Sequence, residues 1–232
     1  MSEFDGKHVL ITGAAGALGS AVARRFARDG ARLALFDRVI AKPPAGSDAG
    51  HLAFEVDLLQ PEAIRAAVDK TLAKFGRIDI LCNIAGGFRS GSSVHETSPE
   101  LWREMIDMNA TSVLNMASAV VPAMVRERTG KIVNVAAMSA QSGKAGLGAY
   151  IVSKTAVIRL TESMAAELRD KGINVNCVLP SIIDTPANRR DMPKADFSKW
   201  VAPEALADVI AFLASHASRG MHGAAVPVVG LS

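Results

Sequence analysis

A chain of 232 residues in which 49% of side chains are hydrophobic is long enough to bury a sizeable core and too apolar to be disordered. Its net charge of +3 comes from basic residues spread along the sequence, with no group denser than pairs such as Arg24-Arg25 and Arg189-Arg190, which argues against a nucleic-acid-binding face. The two cysteines, Cys82 and Cys177, sit in apolar runs without metal-ligand spacing, the five histidines are scattered, and no apolar run reaches about 18 residues, so neither a metal site nor a membrane span is expected.

Short apolar runs alternate with longer segments of helical period. KHVLIT, 7–12, reads as a strand and ALGSAVARRFARDG, 17–30, as the helix after it. ARLALF and HLAFEV, 31–36 and 51–56, are the second and third strands. Between them RVIAKPPAGSDAG, 38–50, holds two prolines and two glycines, so no full helix is expected there. PEAIRAAVDKTLAKFG, 61–76, is a helix with proline in its first turn and glycine at its end. IDILCNIA, 78–85, is the fourth strand; SPELWREMIDMN and ATSVLNMASAVVPAMVRERTG, 98–109 and 110–130, are helical; KIVNVAA, 131–137, is the fifth strand. A long helix over 148–172, a strand INVNCVL over 173–179, a helix over 203–218 and a strand AAVPVV over 224–229 complete the pattern.

Strands apolar on both sides, in regular alternation with helices, imply a parallel sheet covered on both faces. No linker divides the chain, so 1–232 is read as one domain, α/β, a Rossmann-type doubly wound parallel sheet of seven strands. The helices around 110–125 and 149–168 are apolar over much of their circumference. Each needs a partner besides the sheet, and a homodimer or homotetramer pairing them is expected. The opening MSEFDGKHVLITG carries no charged leader before an apolar stretch, and a cytoplasmic setting with reduced thiols is expected.

The turn TGAAGALG, 12–19, follows the first strand and opens a helix, the arrangement in which glycines and helix N–H groups cradle a pyrophosphate. Asp37 ends the second strand, where a carboxylate accepts from ribose hydroxyls and repels a 2′-phosphate. That favours NAD(H); Arg38 beside it leaves NADP(H) possible. Asp57 and the run Asn83-Ile84-Ala85-Gly86 lie at carboxyl ends of strands, where open sheets bind ligands. Tyr150, the chain's single tyrosine, stands one helical turn before Lys154, a pairing suited to proton transfer because the ammonium favours tyrosinate. Phe88, Phe197 and Trp200, with Gly87, can bound a flat small-molecule substrate or can simply pack a lid.

Taken in order, TGAAGALG, NIAG, Asn109 in a helix, YIVSK and the loop from Pro180 to Thr185 resemble the short-chain dehydrogenase/reductases over essentially the whole chain. The resemblance implies a nucleotide held by Gly13, Ala15, Gly16, Ala17, Leu18 and Gly19 at the turn and by Asp37 and Arg38 beside it. It adds Asp57, Leu58, Asn83, Ala85 and Gly86 at the strand ends, and Tyr150, Lys154, Pro180, Ile183 and Thr185 near the nicotinamide. It also implies that Lys154 holds the nicotinamide ribose and that Asn109 anchors a water linking Lys154 to solvent. Two positions depart from the family pattern: the middle glycine of the turn falls on Ala17, and the usual serine, thirteen residues before the tyrosine, is Ala137.

The run VLPSIIDTPANRRDMPKADFSKW, with GALGS at the turn and AGG at 85–87, is similar in a narrower way to the dihydropteridine reductases, a branch of the family that lacks the serine and prefers NADH. Three accounts of Ala137 stand open. Ser139 supplies the hydroxyl, which requires the chain to curl, since in an extended strand it would lie roughly 6.6 Å away. Alternatively the substrate needs little polarisation, as a quinonoid dihydropterin would. Or the protein binds the nucleotide without chemistry. The second is the favoured expectation, and a general carbonyl or alcohol oxidoreductase or 3-oxoacyl reductase-like enzyme assisted by Ser139 is its alternative.

Overall fold

The sequence reading of seven strands and their order along the chain is met in a computed structural model that describes residues 2–43 and 50–231. The strands are β1 (His8–Thr12), β2 (Arg32–Asp37), β3 (Leu52–Glu55), β4 (Ile80–Asn83), β5 (Gly130–Val135), β6 (Ile173–Pro180) and β7 (Ala225–Val228). They pair in parallel in the order β3-β2-β1-β4-β5-β6-β7. Strand order reverses between β1 and β4, and the crevice outside the carboxyl ends of these two strands is where such sheets take their ligands.

The helices are α1 (Ala17–Arg28), α2 (Pro61–Phe75), α3 (Pro99–Ile106), α4 (Ser112–Glu127), α5 (Gly148–Leu168), α6 (Pro186–Asp191) and α7 (Pro203–Ala214). One face of the sheet buries Val9, Ile11, Leu33, Leu35 and Val133 under α1 and α7, through Val22, Phe26, Leu206 and Ile210. The other buries Leu10, Phe36, Leu81 and Ile132 under α2, α4 and α5, through Ile64, Val68, Met116, Val120 and Leu168. The helix α2 starts at a proline and stops at Gly76, whose φ of 81° lets the chain leave the helix. Residues 38–43 carry no helix; 44–49, the rest of the segment read as non-helical, lie outside the described residues.

Two details differ from the sequence reading. The stretches read as 98–109 and 110–130 join through a π-helical turn, Asp107–Thr111, into one helical run from Pro99 to Glu127. By length and composition that run passes for a membrane span, yet it packs Met105, Met116, Val120 and Met124 into the core. The short helix α6, capped by Thr185 and opened by Pro186, is absent from the elements read in the sequence.

Candidate active site

The glycine-rich turn is built for close approach. Gly13 has φ of 65°, and a Cβ on it would lie 2.8 Å from the Ala85 backbone, so the end of β1 touches the end of β4. Thr12 Oγ1 closes the same seam, accepting from the N–H groups of Ile84 and Ala85 at 3.1 Å each. A Cβ on Gly19 would lie 2.0 Å from the Gly13 carbonyl oxygen, which explains a glycine there. The helix α1 starts after Gly16, which offers no side-chain cap, while Ala15, Gly16 and Ala17 are exposed. The first-turn N–H groups thus face outward without a side-chain acceptor, an anion-binding end. Ala17 leaves this turn open, so the departure from the family pattern does not fill the cradle.

At the end of β2, Asp37 accepts from Ala15 N at 2.9 Å through Oδ2 and from Arg38 N at 2.7 Å through Oδ1. Arg38 Nη2 reaches Asp57 Oδ1 at 3.5 Å, and Asp57 accepts from Leu59 N at 3.0 Å. Leu58 is buried, and its carbonyl accepts from Asn115 Nδ2 on α4. Asp37, Arg38 and Asp57 therefore form one rim beside the turn. An uncapped helix start flanked by a carboxylate at the adjacent strand end fits a dinucleotide: pyrophosphate on the N–H groups, ribose hydroxyls at Asp37.

Around Tyr150 the polar groups are buried and linked. The Asn109 side chain donates to Gly87 O at 3.0 Å and accepts from Gly87 N at 3.0 Å. Its Nδ2 also donates to Ser153 Oγ at 3.1 Å, and Ser153 Oγ donates to the Tyr150 carbonyl at 2.7 Å. The π-helical turn sets Asn109 in this position; such turns recur at functional sites. A Cβ on Gly86 would lie 2.7 Å from Asn109 Oδ1 and 3.0 Å from Lys154 Nζ, which brings Gly86, Asn109 and Lys154 into one cluster. Lys154 Nζ donates to Val135 O at 2.9 Å.

Burial governs the two titratable groups. It lowers the Lys154 ammonium to about 8 and raises the Tyr150 hydroxyl to about 12. The sequence expectation of a lowered tyrosine is not what this arrangement gives. Lys154 Nζ is held by the Val135 carbonyl, and Phe88 packs edge-to-face on the tyrosine ring, with centroids 4.9 Å apart and planes at 85°. At neutral pH the Tyr150 hydroxyl therefore holds its proton, and holds it more tightly than a free tyrosine does.

After β5 the chain runs extended through Ala137, which is only 5% exposed, and then curls into a 3₁₀ turn over Met138–Gln141. Ala140 N donates to Ala137 O at 3.0 Å. Thr155 Oγ1, one residue after Lys154, donates to Ala140 O at 3.1 Å and ties the turn to α5. Ser139 lies half-buried within this turn.

Other expected site residues lie as follows. The Asn83 side chain is buried and donates to Asn134 Oδ1 at 2.8 Å; Asn134 donates to Thr161 Oγ1 at 2.9 Å. Pro180 ends β6, Ile183 pairs with Val201, and Thr185 Oγ1 accepts from Asn188 N at 3.2 Å. Trp200 is 8% exposed and packs on Phe197 at 4.7 Å between centroids, with the Arg189 guanidinium carbon 4.8 Å from the Phe197 ring centroid. Arg189 also holds Asp184 through two bonds of 2.6 and 2.7 Å. Phe197 and Trp200 pack the 181–200 loop on itself, whereas Phe88 touches Tyr150. Sequence reasoning missed Ser153, Asn134 and Thr161, whose roles depend on partners on other elements.

The sequence pattern of the short chain dehydrogenases matches residues 7–196. The chain is 35% identical to a 3-oxoacyl-[acyl-carrier-protein] reductase of Thermotoga maritima, over 97% of each chain. It is 34% identical to a meso-2,3-butanediol dehydrogenase of Serratia marcescens, over 98% of this chain and 94% of the relative. Among solved structures, carveol dehydrogenase from Mycobacterium avium in complex with NAD superposes with a TM-score of 0.88 at 27% identity, over 98% of both chains.

Proposed function

This chain belongs to the short chain dehydrogenase family and is an NAD(P)-dependent oxidoreductase, and we propose that it interconverts a small ketone and its alcohol, with NAD(H) the favoured cofactor and NADP(H) the alternative. The observation that carries this reading is the linked cluster of Asn109, Ser153, Tyr150 and Lys154 at the carboxyl end of the sheet. The relatives act, by their names, on 3-oxoacyl groups and on a vicinal diol, which supports a ketone or alcohol over a pterin.

A bound nicotinamide supplies hydride in reduction and accepts it in oxidation. The chain does the rest. The Tyr150 hydroxyl, protonated at neutral pH, gives its proton to the substrate oxygen as charge develops there. Lys154 stands one turn away with a positive charge that steadies the tyrosinate left behind. Ser139, in the 3₁₀ turn that follows Ala137, is the hydroxyl proposed to donate to the substrate oxygen in place of the serine absent at 137. Asp37 accepts from ribose hydroxyls and excludes a 2′-phosphate.

A second reading keeps one specific observation on its side. Ala137 leaves the strand end without a hydroxyl, and the 178–200 run resembles the dihydropteridine reductases, so a quinonoid dihydropterin that needs little polarisation is the second substrate class. NADH oxidation by purified protein with 2,3-butanedione, a 3-oxoacyl thioester and freshly generated quinonoid dihydropterin separates the two. Turnover of the ketones supports the first reading; turnover of the pterin alone replaces it with the second.

We also propose a homodimer or homotetramer through α4 and α5, whose outer faces expose Leu114 at 53% and Val152 at 43%. The two buried thiols, Cys82 and Cys177, suit the cytoplasmic setting expected from the sequence.

A further inference from the structure

Phe88 presents an exposed aromatic ring beside the proton donor. It makes the edge-to-face contact with Tyr150 described above, yet 48% of the residue stays open to solvent. Phe197 and Trp200 offer no comparable surface, because they are spent on each other and on Arg189.

The loop carrying Phe88 is pinned on both sides. Gly87, just before it, exchanges two hydrogen bonds with the Asn109 amide. A Cβ on Gly87 would lie 2.2 Å from Met108 Sδ, so the backbone sits hard against the π-helical turn. Arg89, just after it, donates to the Phe88 carbonyl at 3.0 Å and pairs with Glu104 at 3.4 Å. Further on, Gly91 N donates to Gly146 O at 2.8 Å, which ties the loop to the turn leading into α5. From Gly87 the bonds run through Asn109 and Ser153 to the Tyr150 backbone. The backbone that carries the ring is therefore held relative to the start of α5, and less of it need be ordered when a ligand arrives, which lowers one cost of binding. A flat π-system laid on its open face would also withdraw apolar surface from water.

We propose that Phe88 is the specificity-determining residue of this site and that it selects flat, conjugated ketones over aliphatic ones. The inference rests on the reading of Tyr150 as the proton donor and deepens it by naming the substrate class. An aromatic pair of this kind is worth roughly a factor of 2–10 in affinity. Phe88 is exposed, so replacing it leaves the core untouched.

Wild type, Phe88→Leu and Phe88→Trp are compared in two ways. In the first, equilibrium dialysis without nucleotide measures binding of 2-naphthol and of cyclohexanol. In the second, NADH-dependent turnover is measured with 9,10-phenanthrenequinone and with 2,3-butanedione. Phe88→Leu is expected to weaken 2-naphthol binding about 2–10-fold, to leave cyclohexanol unchanged, and to lower the kcat/KM ratio of planar to aliphatic dione by a similar factor. Phe88→Trp should preserve both. Equal affinities for 2-naphthol in wild type and Phe88→Leu would overturn the proposal, as would a wild type that does not bind it. The expected binding difference without turnover of either dione would leave the role of Phe88 standing and remove the ketone reading instead.

Discussion

Lys154 Nζ donates to the Val135 carbonyl across 2.9 Å, so the amine that must serve Tyr150 is anchored to the last residue of β5. The bond crosses between α5 and the sheet in a place that excludes water, and that burial lowers the ammonium from 10.5 to about 8.

This burial has a cost that pH reveals. The folded-state value lies below the unfolded one, so the unfolded chain holds the proton more tightly. Stability from this group is full above about 10.5 and is lost as the pH falls through about 8. Lys154→Met should therefore stabilise the protein at pH 7, by on the order of 3 kcal/mol at most, while abolishing turnover. The gain should shrink to nothing by about pH 10.5. Urea unfolding across that pH range measures it.

On the ketone reading, Ser139 is proposed to supply the hydroxyl that position 137 lacks. Ser139→Ala should lower kcat on ketones by about 10²–10³, with NADH affinity unchanged, and Ala137→Ser in that background should recover part of the loss. Steady-state kinetics decide it. A loss of less than about tenfold would mean a site that works without any such hydroxyl, as the pterin reading holds.

Both Asp37 oxygens already accept backbone N–H groups, and the proposed ribose contact would be a second task for the same carboxylate. Asp37→Asn keeps one carbonyl acceptor and removes the charge. It should narrow the preference for NADH over NADPH at least tenfold with a small loss of NADH affinity, whereas Asp37→Ala should weaken NADH as well, by about tenfold. Fluorescence titration of both nucleotides measures the pair.

The helices α4 and α5 supply the proposed interface. A charge buried against a second apolar copy is costly, so Leu114→Glu with Val152→Glu should halve the mass seen by light scattering, from dimer to monomer or from tetramer to dimer. An unchanged mass would place the interface elsewhere.

The fold was largely legible because strands buried on both faces leave unbroken apolar runs, as in VLIT and ILCN, and because helix punctuation such as Pro61 and Gly76 is local. The break read between Asn109 and Ala110 fell within the π-helical turn, though nothing in the local pattern said that the helix continues through it. The positions of Tyr150, Lys154 and Asn109 were legible as a family pattern. The linkage was not: Ser153 and Asn109 are 44 residues apart, and their bond depends on how α5 packs against the π-helical turn. The sign of the tyrosine's shift was likewise hidden, because spacing brings Lys154 near but only packing shows how far Tyr150 is withdrawn from water. The threonine cap and proline of α6 were readable and were passed over.

In the proposed reaction Tyr150 gives its proton to a ketone reduced by NADH. The most direct measurement is single-turnover NADH oxidation with 2,3-butanedione in wild type and Tyr150→Phe, with NADH binding titrated in both. Rapid oxidation in wild type is expected, with a loss of at least about 10³-fold in the variant and equal NADH affinity. Oxidation that survives in Tyr150→Phe would contradict it.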